Sequence, residues 1–179
     1  EKLLVVGAGN PMWRGGLSAP NSLFLHADRP LVTEDGTSPL IHELVHMVTR
    51  ISGQVSEDAN DDWIAEGVAE FYSIELLYRA GGMPKSRRAK IYKGLKERAA
   101  DISDMRKGSS SGDVTARAVI VLDELDKELK ASKKNLDIVI RDLMLIRNVS
   151  LDDLKESAER HLKKESNVLK AFYETKAAL

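Results

Sequence analysis

Ser38-Pro39-Leu40-Ile41-His42-Glu43-Leu44-Val45-His46 joins a helix start to two histidines four residues apart. Ser38 suits the N-cap, and Pro39 suits the first helical position, where its missing N–H and fixed φ do no harm. Leu40, Ile41, Leu44, Val45 and Val48 then recur at helical spacing, which predicts a helix that Gly53 ends. On such a helix His42 and His46 lie one turn apart on one face, so both imidazoles can reach one metal ion. Glu43 points about 100° around the helix from His42. Its carboxylate would therefore sit beside that ion rather than on it, placed to take a proton from water. Chance produces H-E-x-x-H in well under about 1% of chains this long. The bland alternative is two satisfied histidines on a helix face.

A catalytic zinc site keeps three protein ligands and one open position. The chain has no cysteine and only four histidines, so the third ligand must be His, Asp or Glu. His26 falls on an expected edge strand and His161 in a distant helix. Glu66 is the candidate, in Trp63-Ile64-Ala65-Glu66-Gly67-Val68-Ala69-Glu70-Phe71-Tyr72. The polar loop from Ser56 to Asp62 is short, so a helix capped by Asp62 and running from Trp63 to about Tyr78 can fold back on the first. Gly67 inside it costs about 1 kcal/mol relative to Ala, which close approach of another helix would explain. Glu70, one turn beyond Glu66, can accept a hydrogen bond from the distal nitrogen of a ligating histidine. The alternative for both is an exposed helical glutamate.

Outward from this centre the chain divides. Leu3 to Val6 reads as a short strand closed by a Gly7-Ala8-Gly9-Asn10-Pro11 loop. Ser22 to His26 reads as an edge strand introduced by Pro20, and Asp35-Gly36 as a turn. After Tyr78, Gly81-Gly82-Met83-Pro84 stops the second helix, and a basic helix follows from Ser86 to about Ala100. Its run Lys85, Arg87, Arg88, Lys90, Lys93, Lys96, Arg98 reads as a solvated face. Gly108-Ser109-Ser110-Ser111-Gly112 reads as a flexible linker. Further helices begin near Val114, at Leu136 (to Ile146), and at Ser150 with a capping-box-like Ser-Leu-Asp-Asp start. A last one holds Val168, Leu169 and Phe172. The fold class is α+β and helix-dominated: a small N-terminal sheet, the H-E-x-x-H helix pair, and a C-terminal helical bundle. The expected division is a catalytic lobe over 1–103 and a helical lobe over 114–179.

Composition excludes more than it assigns. Hydrophobic residues make up 42% and charged residues 31% of 179, an ordinary globular balance. The net charge of -1 gives nucleic acid and anionic membranes no general attraction, and no apolar run approaches the ~20 residues of a membrane span. Glu57, Asp58, Asp61 and Asp62 lack the residue order of a calcium loop. Gly7-Ala8-Gly9 lacks the third glycine of a dinucleotide fingerprint. The chain starts at Glu1 without a signal-peptide pattern. It reads as a trimmed or processed, soluble piece of a longer protein, extracytoplasmic if a leader was removed.

His42-Glu43-Leu44-Val45-His46 followed by Trp63-Ile64-Ala65-Glu66-Gly67-Val68-Ala69-Glu70-Phe71-Tyr72 resembles the gluzincin metallopeptidases with a thermolysin-like catalytic domain. The nearest resemblance is to the glycyl aminopeptidase family, often coupled to a PDZ domain, with the aminopeptidase N family more distant. The resemblance covers roughly residues 12 to 80. It implies a zinc ion (Zn2+) on His42, His46 and Glu66, Glu43 as general base, and a peptide or protein substrate. It also implies a substrate-binding edge strand at Gly15, Gly16, Leu17, Ser18, Ala19 and Asn21, where the peptide pairs by strand addition.

Three departures accompany it. Residues 47 to 65 make a spacer of 19, where the aminopeptidase N pattern has 18. Ser18-Ala19-Pro20-Asn21 is neutral where such aminopeptidases hold the substrate amine with an acid. Thr115 stands where the family's oxyanion-binding Tyr is expected, a loss typically worth 10²–10³ in rate. Tyr92 and His161 are the candidate substitutes. The leading expectation is zinc-dependent peptide hydrolysis; the alternative is a peptidase-like domain that binds zinc and peptide with little turnover.

Overall fold

The structure, a computed structural model, describes residues 2–11, 16–33 and 37–171. Gly15, the Asp35-Gly36 turn and Phe172 lie outside the described residues. The elements in order are β1 (Leu4–Ala8), β2 (Gly16–Ala19), β3 (Ser22–His26), α1 (Pro39–Thr49), β4 (Ser52–Gly53), α2 (Trp63–Arg79), α3 (Lys85–Ala99), α4 (Asp113–Ala131), α5 (Leu136–Ile146), β5 (Asn148–Val149) and α6 (Leu151–Leu162). A further helical turn covers residues 167–171. Helix dominates, with one small N-terminal sheet, as the sequence implies.

Two compact units interleave along the chain: Glu1–Arg50 with Ala69–Gly94, and Ile51–Val68 with Leu95–Leu179. They do not follow the linear 1–103 and 114–179 expectation, because α2 begins in one unit and runs unbroken into the other.

In the first unit the sheet order is β1-β3-β2. β1 runs parallel to β3, with Val5 opposite Leu23, and β2 runs antiparallel, with Gly16 opposite Leu25. Leu23 and Leu25 are buried, and α1 packs on β2 and β3. The 22–26 strand is therefore the centre of the sheet, not its edge; among the described residues β1 and β2 are its edges. Pro20 sits in the two-residue hairpin turn with Asn21, whose φ of 57° is one that asparagine tolerates. Alternation along a strand shows which residues share a face, not which strands lie beside it, so the sequence could not choose.

α1 starts as expected: Ser38 Oγ accepts from Ile41 N–H at 3.2 Å and donates to the Leu31 carbonyl at 2.6 Å. It stops earlier. Arg50 takes a left-handed conformation at the C-cap and its N–H bonds the His46 carbonyl. Gly53 is absent from that helix end and lies in β4. Arg87 of α3 donates to the Thr33 carbonyl at 2.8 Å, tying α3 to the segment before α1. Arg88 pairs with the buried Glu75 carboxylate at 2.5 Å.

In the second unit Gly67 permits the close helix approach that its cost implied: a Cβ there would lie 2.6 Å from the Ala118 methyl of α4. At Gly53 a Cβ would fall 2.1 Å from the Asp62 backbone nitrogen, so the crossing of these two backbones requires glycine. β4 pairs in parallel with β5, far along the chain.

The stretch 104–113 is not a flexible linker. Met105 is buried, Asn60 donates to the Gly108 carbonyl, and Ser110 donates to Asp62. Arg106 forms an ion pair with buried Asp61 at 2.6 Å, and that carboxylate also accepts from Leu151 N–H at the head of α6. Glycine and serine composition signals lack of apolar burial, and these polar bonds supply the order instead. α6 carries the full capping box, Ser150 with Asp153.

Candidate metal centre

α1 presents His42 and His46 one turn apart, as i and i+4 positions must be. Their Nε2 atoms lie 3.1 Å from each other, and their rings meet edge-on with centroids 4.8 Å apart. α2 supplies two carboxylates from one face, also one turn apart. Glu70 Oε2 lies 3.0 Å from His42 Nδ1. A carboxylate there can accept from Nδ1–H, and in the neutral imidazole that tautomer turns the Nε2 lone pair toward His46. Glu66 completes the group: His42, His46 and Glu66 each offer a ligand atom, all within 4.8 Å of one another. All three are half-buried.

All three donors suit a metal ion on composition, and the two histidine nitrogens suit one on geometry as well. A tetrahedral ion with metal–nitrogen bonds of about 2.0–2.1 Å sets its ligand nitrogens about 3.3 Å apart, close to the observed 3.1 Å. Two imidazoles, a carboxylate and no thiolate suit divalent ions of intermediate softness. Glu70 stands where a carboxylate can set the tautomer and orientation of the His42 ring. Three residues expected to hold a metal, and the fourth expected to orient a ligand, are thus brought together.

Glu43 follows His42 on α1 and its side chain extends toward β2. A Cβ built on Gly16 would meet its Cγ and Oε1 at 2.7 Å. That contact joins a strand to a helix and has no signature in the sequence; its only trace is a glycine at a strand start whose φ does not call for one. Along β2, Leu17 and Ala19 are exposed and Gly16 and Ser18 half-buried.

The remaining candidates are engaged elsewhere. Thr115 Oγ1 donates to the Ser110 carbonyl at 2.7 Å. Tyr92 is buried and its hydroxyl donates to Glu75 at 3.2 Å, with the Arg88 guanidinium 4.4 Å above its ring. His161 Nε2 lies 2.8 Å from Asp142 Oδ2, on which Ser157 also donates. Burial raises the Asp142 carboxyl, but the Ser157 and His161 hydrogen bonds and the nearby His161 and Arg160 charges outweigh it and hold the group below its ordinary value. His26 is a buried core histidine of β3, accepting from Asp28 N–H at Nδ1 and facing Asn10 with Nε2.

Comparison of the chain with models of protein families, with curated proteins and with solved structures finds no match. No described helix is long and apolar enough to cross a membrane.

Proposed function

We propose that this chain is the catalytic domain of a zinc-dependent peptidase of gluzincin type, with His42, His46 and Glu66 as zinc ligands and Glu43 as general base. The observation that carries the reading is the convergence of those three donors with Glu70 oriented on His42 Nδ1. The motif resemblance to the glycyl aminopeptidase family adds to it. Zinc bound there supplies a Lewis acid and brings the pKa of a bound water toward ~7.

The chain's own residues do the rest. Glu43 takes the proton from the attacking water at its carboxylate and hands it to the leaving amine. Glu70 accepts from Nδ1–H of His42 and so orients the ring that would hold the ion through Nε2. β2 pairs with β3 on one side, and its other edge offers main-chain groups to a substrate peptide in extended form. Exposed Leu17 on that edge is 56% accessible, available to a substrate side chain.

The test is zinc-loaded protein against a mixed peptide library, beside Glu43→Gln. The variant should bind zinc with unchanged stoichiometry and lose about 10²–10⁴ in rate, the span of a general base. Full peptidase activity in zinc-loaded Glu43→Gln would refute the mechanism.

One set of observations favours a second reading, a zinc- and peptide-binding domain with little turnover. Tyr92 and His161, the two candidate oxyanion donors, each spend a polar group on another partner, and Thr115, at the place expected for the family's Tyr, donates to the Ser110 carbonyl. Stoichiometric zinc with no hydrolysis across the library would select that reading. A protein that takes up no zinc and gains no thermal stability from it would sink both.

A further inference from the structure

Glu43 can serve as a base only if its carboxylate is held beside the histidines, and the strand beneath it shows how. A Cβ on Gly16 would lie 2.7 Å from Glu43 Cγ, 2.7 Å from Oε1 and 3.0 Å from Cδ. Carbon atoms rest against one another at about 3.5–4.0 Å. The Glu43 side chain therefore occupies the space that any residue other than glycine would fill.

Three described glycines, Gly16, Gly53 and Gly67, would be overlapped this closely, and they differ in what they would meet. Gly53 would strike backbone, and Gly67 would strike a methyl fixed to a helix. Neither neighbour can yield without moving the main chain, so both glycines serve the fold. The three atoms nearest a Cβ on Gly16 all belong to the flexible Glu43 side chain, from Cγ to Oε1, which rotation about its own χ angles can carry aside. A side chain there costs the fold little and costs Glu43 its place. Nor does the backbone call for glycine: Gly16 has no positive φ and pairs with Leu25 as an ordinary strand residue.

We propose that Gly16 is a positioning residue for Glu43, its missing Cβ forming the slot in which the carboxylate lies. The consequence for hydrolysis rests on the function proposed above; the slot itself does not. The first residue of β2 thus acts on the base, while the strand's outer edge remains available to peptide.

The experiment compares Gly16→Ala, Glu43→Gln and the double variant, each with and without zinc. Gly16→Ala should keep its melting temperature within about 2 °C and bind zinc within about threefold of the parent, since the atoms nearest a Cβ at position 16 belong to Glu43 and not to a zinc ligand. Its kcat should fall at least about tenfold with KM within about threefold, the mark of a displaced base rather than lost peptide binding. In the Glu43→Gln background Gly16→Ala should cost no further rate. A crystal structure of metal-free Gly16→Ala should show the Glu43 carboxylate moved by about 1 Å or more.

Unfolding of Gly16→Ala would overturn the proposal by making the glycine a packing residue, as would retained kcat while Glu43→Gln is impaired. If Glu43→Gln itself keeps full activity, the peptidase mechanism fails. The slot is then decided by the variant structure alone: an unmoved carboxylate overturns it and a displaced one upholds it.

Discussion

Replacing Glu70 by alanine removes the acceptor from His42 Nδ1 without touching a ligand atom. The lost bond, 3.0 Å between a carboxylate and an imidazole N–H, is of the charge-assisted kind worth about 1.5–3 kcal/mol. The two side chains are 20% and 18% exposed, so water recovers part of that energy, and a cost of about 1.5–2 kcal/mol is appropriate. At about 1.4 kcal/mol per decade, zinc should bind about 10–30-fold more weakly, inside the 10–100-fold span for lost partners of ligating histidines. Glu70→Gln keeps an acceptor oxygen but not the charge and should lose only about 3–5-fold. The assay is titration of metal-free protein with zinc against a chromophoric chelator at fixed pH and salt, with circular dichroism to confirm folding. Binding by Glu70→Ala within twofold of the parent would refute the reasoning, as would Glu70→Gln binding more weakly than Glu70→Ala.

Other substitutions probe the scaffold. Gly67→Ala gains about 1 kcal/mol in helix propensity, yet its methyl would sit 2.6 Å from that of Ala118. Overpacking of about 1–3 kcal/mol should leave a net loss in urea denaturation, and any gain in stability would contradict the close crossing. Asp61→Ala strips the partner from Arg106 and an acceptor from Leu151 N–H. With Arg106 19% exposed, the loss should fall near the lower end of the 3–5 kcal/mol range, about 3 kcal/mol, and a change under about 1 kcal/mol would show the pair to be incidental. Asp142 is held below its ordinary value of 3.8, so its contribution is present above that pH and lost as pH falls through the lower folded value. Denaturation midpoints of wild type and Asp142→Asn should differ at pH 6 and converge as pH falls through the lowered folded value; a constant difference would contradict this.

What the sequence revealed, it revealed through local rules. Ser38 and Ser150 announce their helices because a cap bonds within three residues. His42, His46, Glu66 and Glu70 were legible because helical spacing fixes which side chains share a face, and Gly67 because its cost in a helix demanded a neighbour. What it concealed depends on pairings between distant residues. Nothing local shows that β3 lies at the sheet's centre and β2 at its edge. Gly53 resembles a helix stop, yet the reason for it is the backbone of Asp61 and Asp62, visible only once both segments meet. The serine-rich stretch around Ser110 is ordered by Asn60, Asp61 and Asp62, partners some fifty positions earlier. The Gly16–Glu43 contact was hidden in the same way.

The smallest sheet has a consequence for how the protein is made. Ser52 donates its N–H to Arg147 at 2.7 Å and Gln54 donates to Val149 at 2.8 Å, across a separation of 95 residues. On a ribosome adding ~5–20 residues per second, the segment after α1 waits about 5–20 s for the strand that completes it. Until then Ile51, buried in the finished protein, has no β5 beside it. That interval is when the nascent chain is most open to a chaperone or a protease, and the closing of so long a loop sets an entropic threshold that only late contacts can meet.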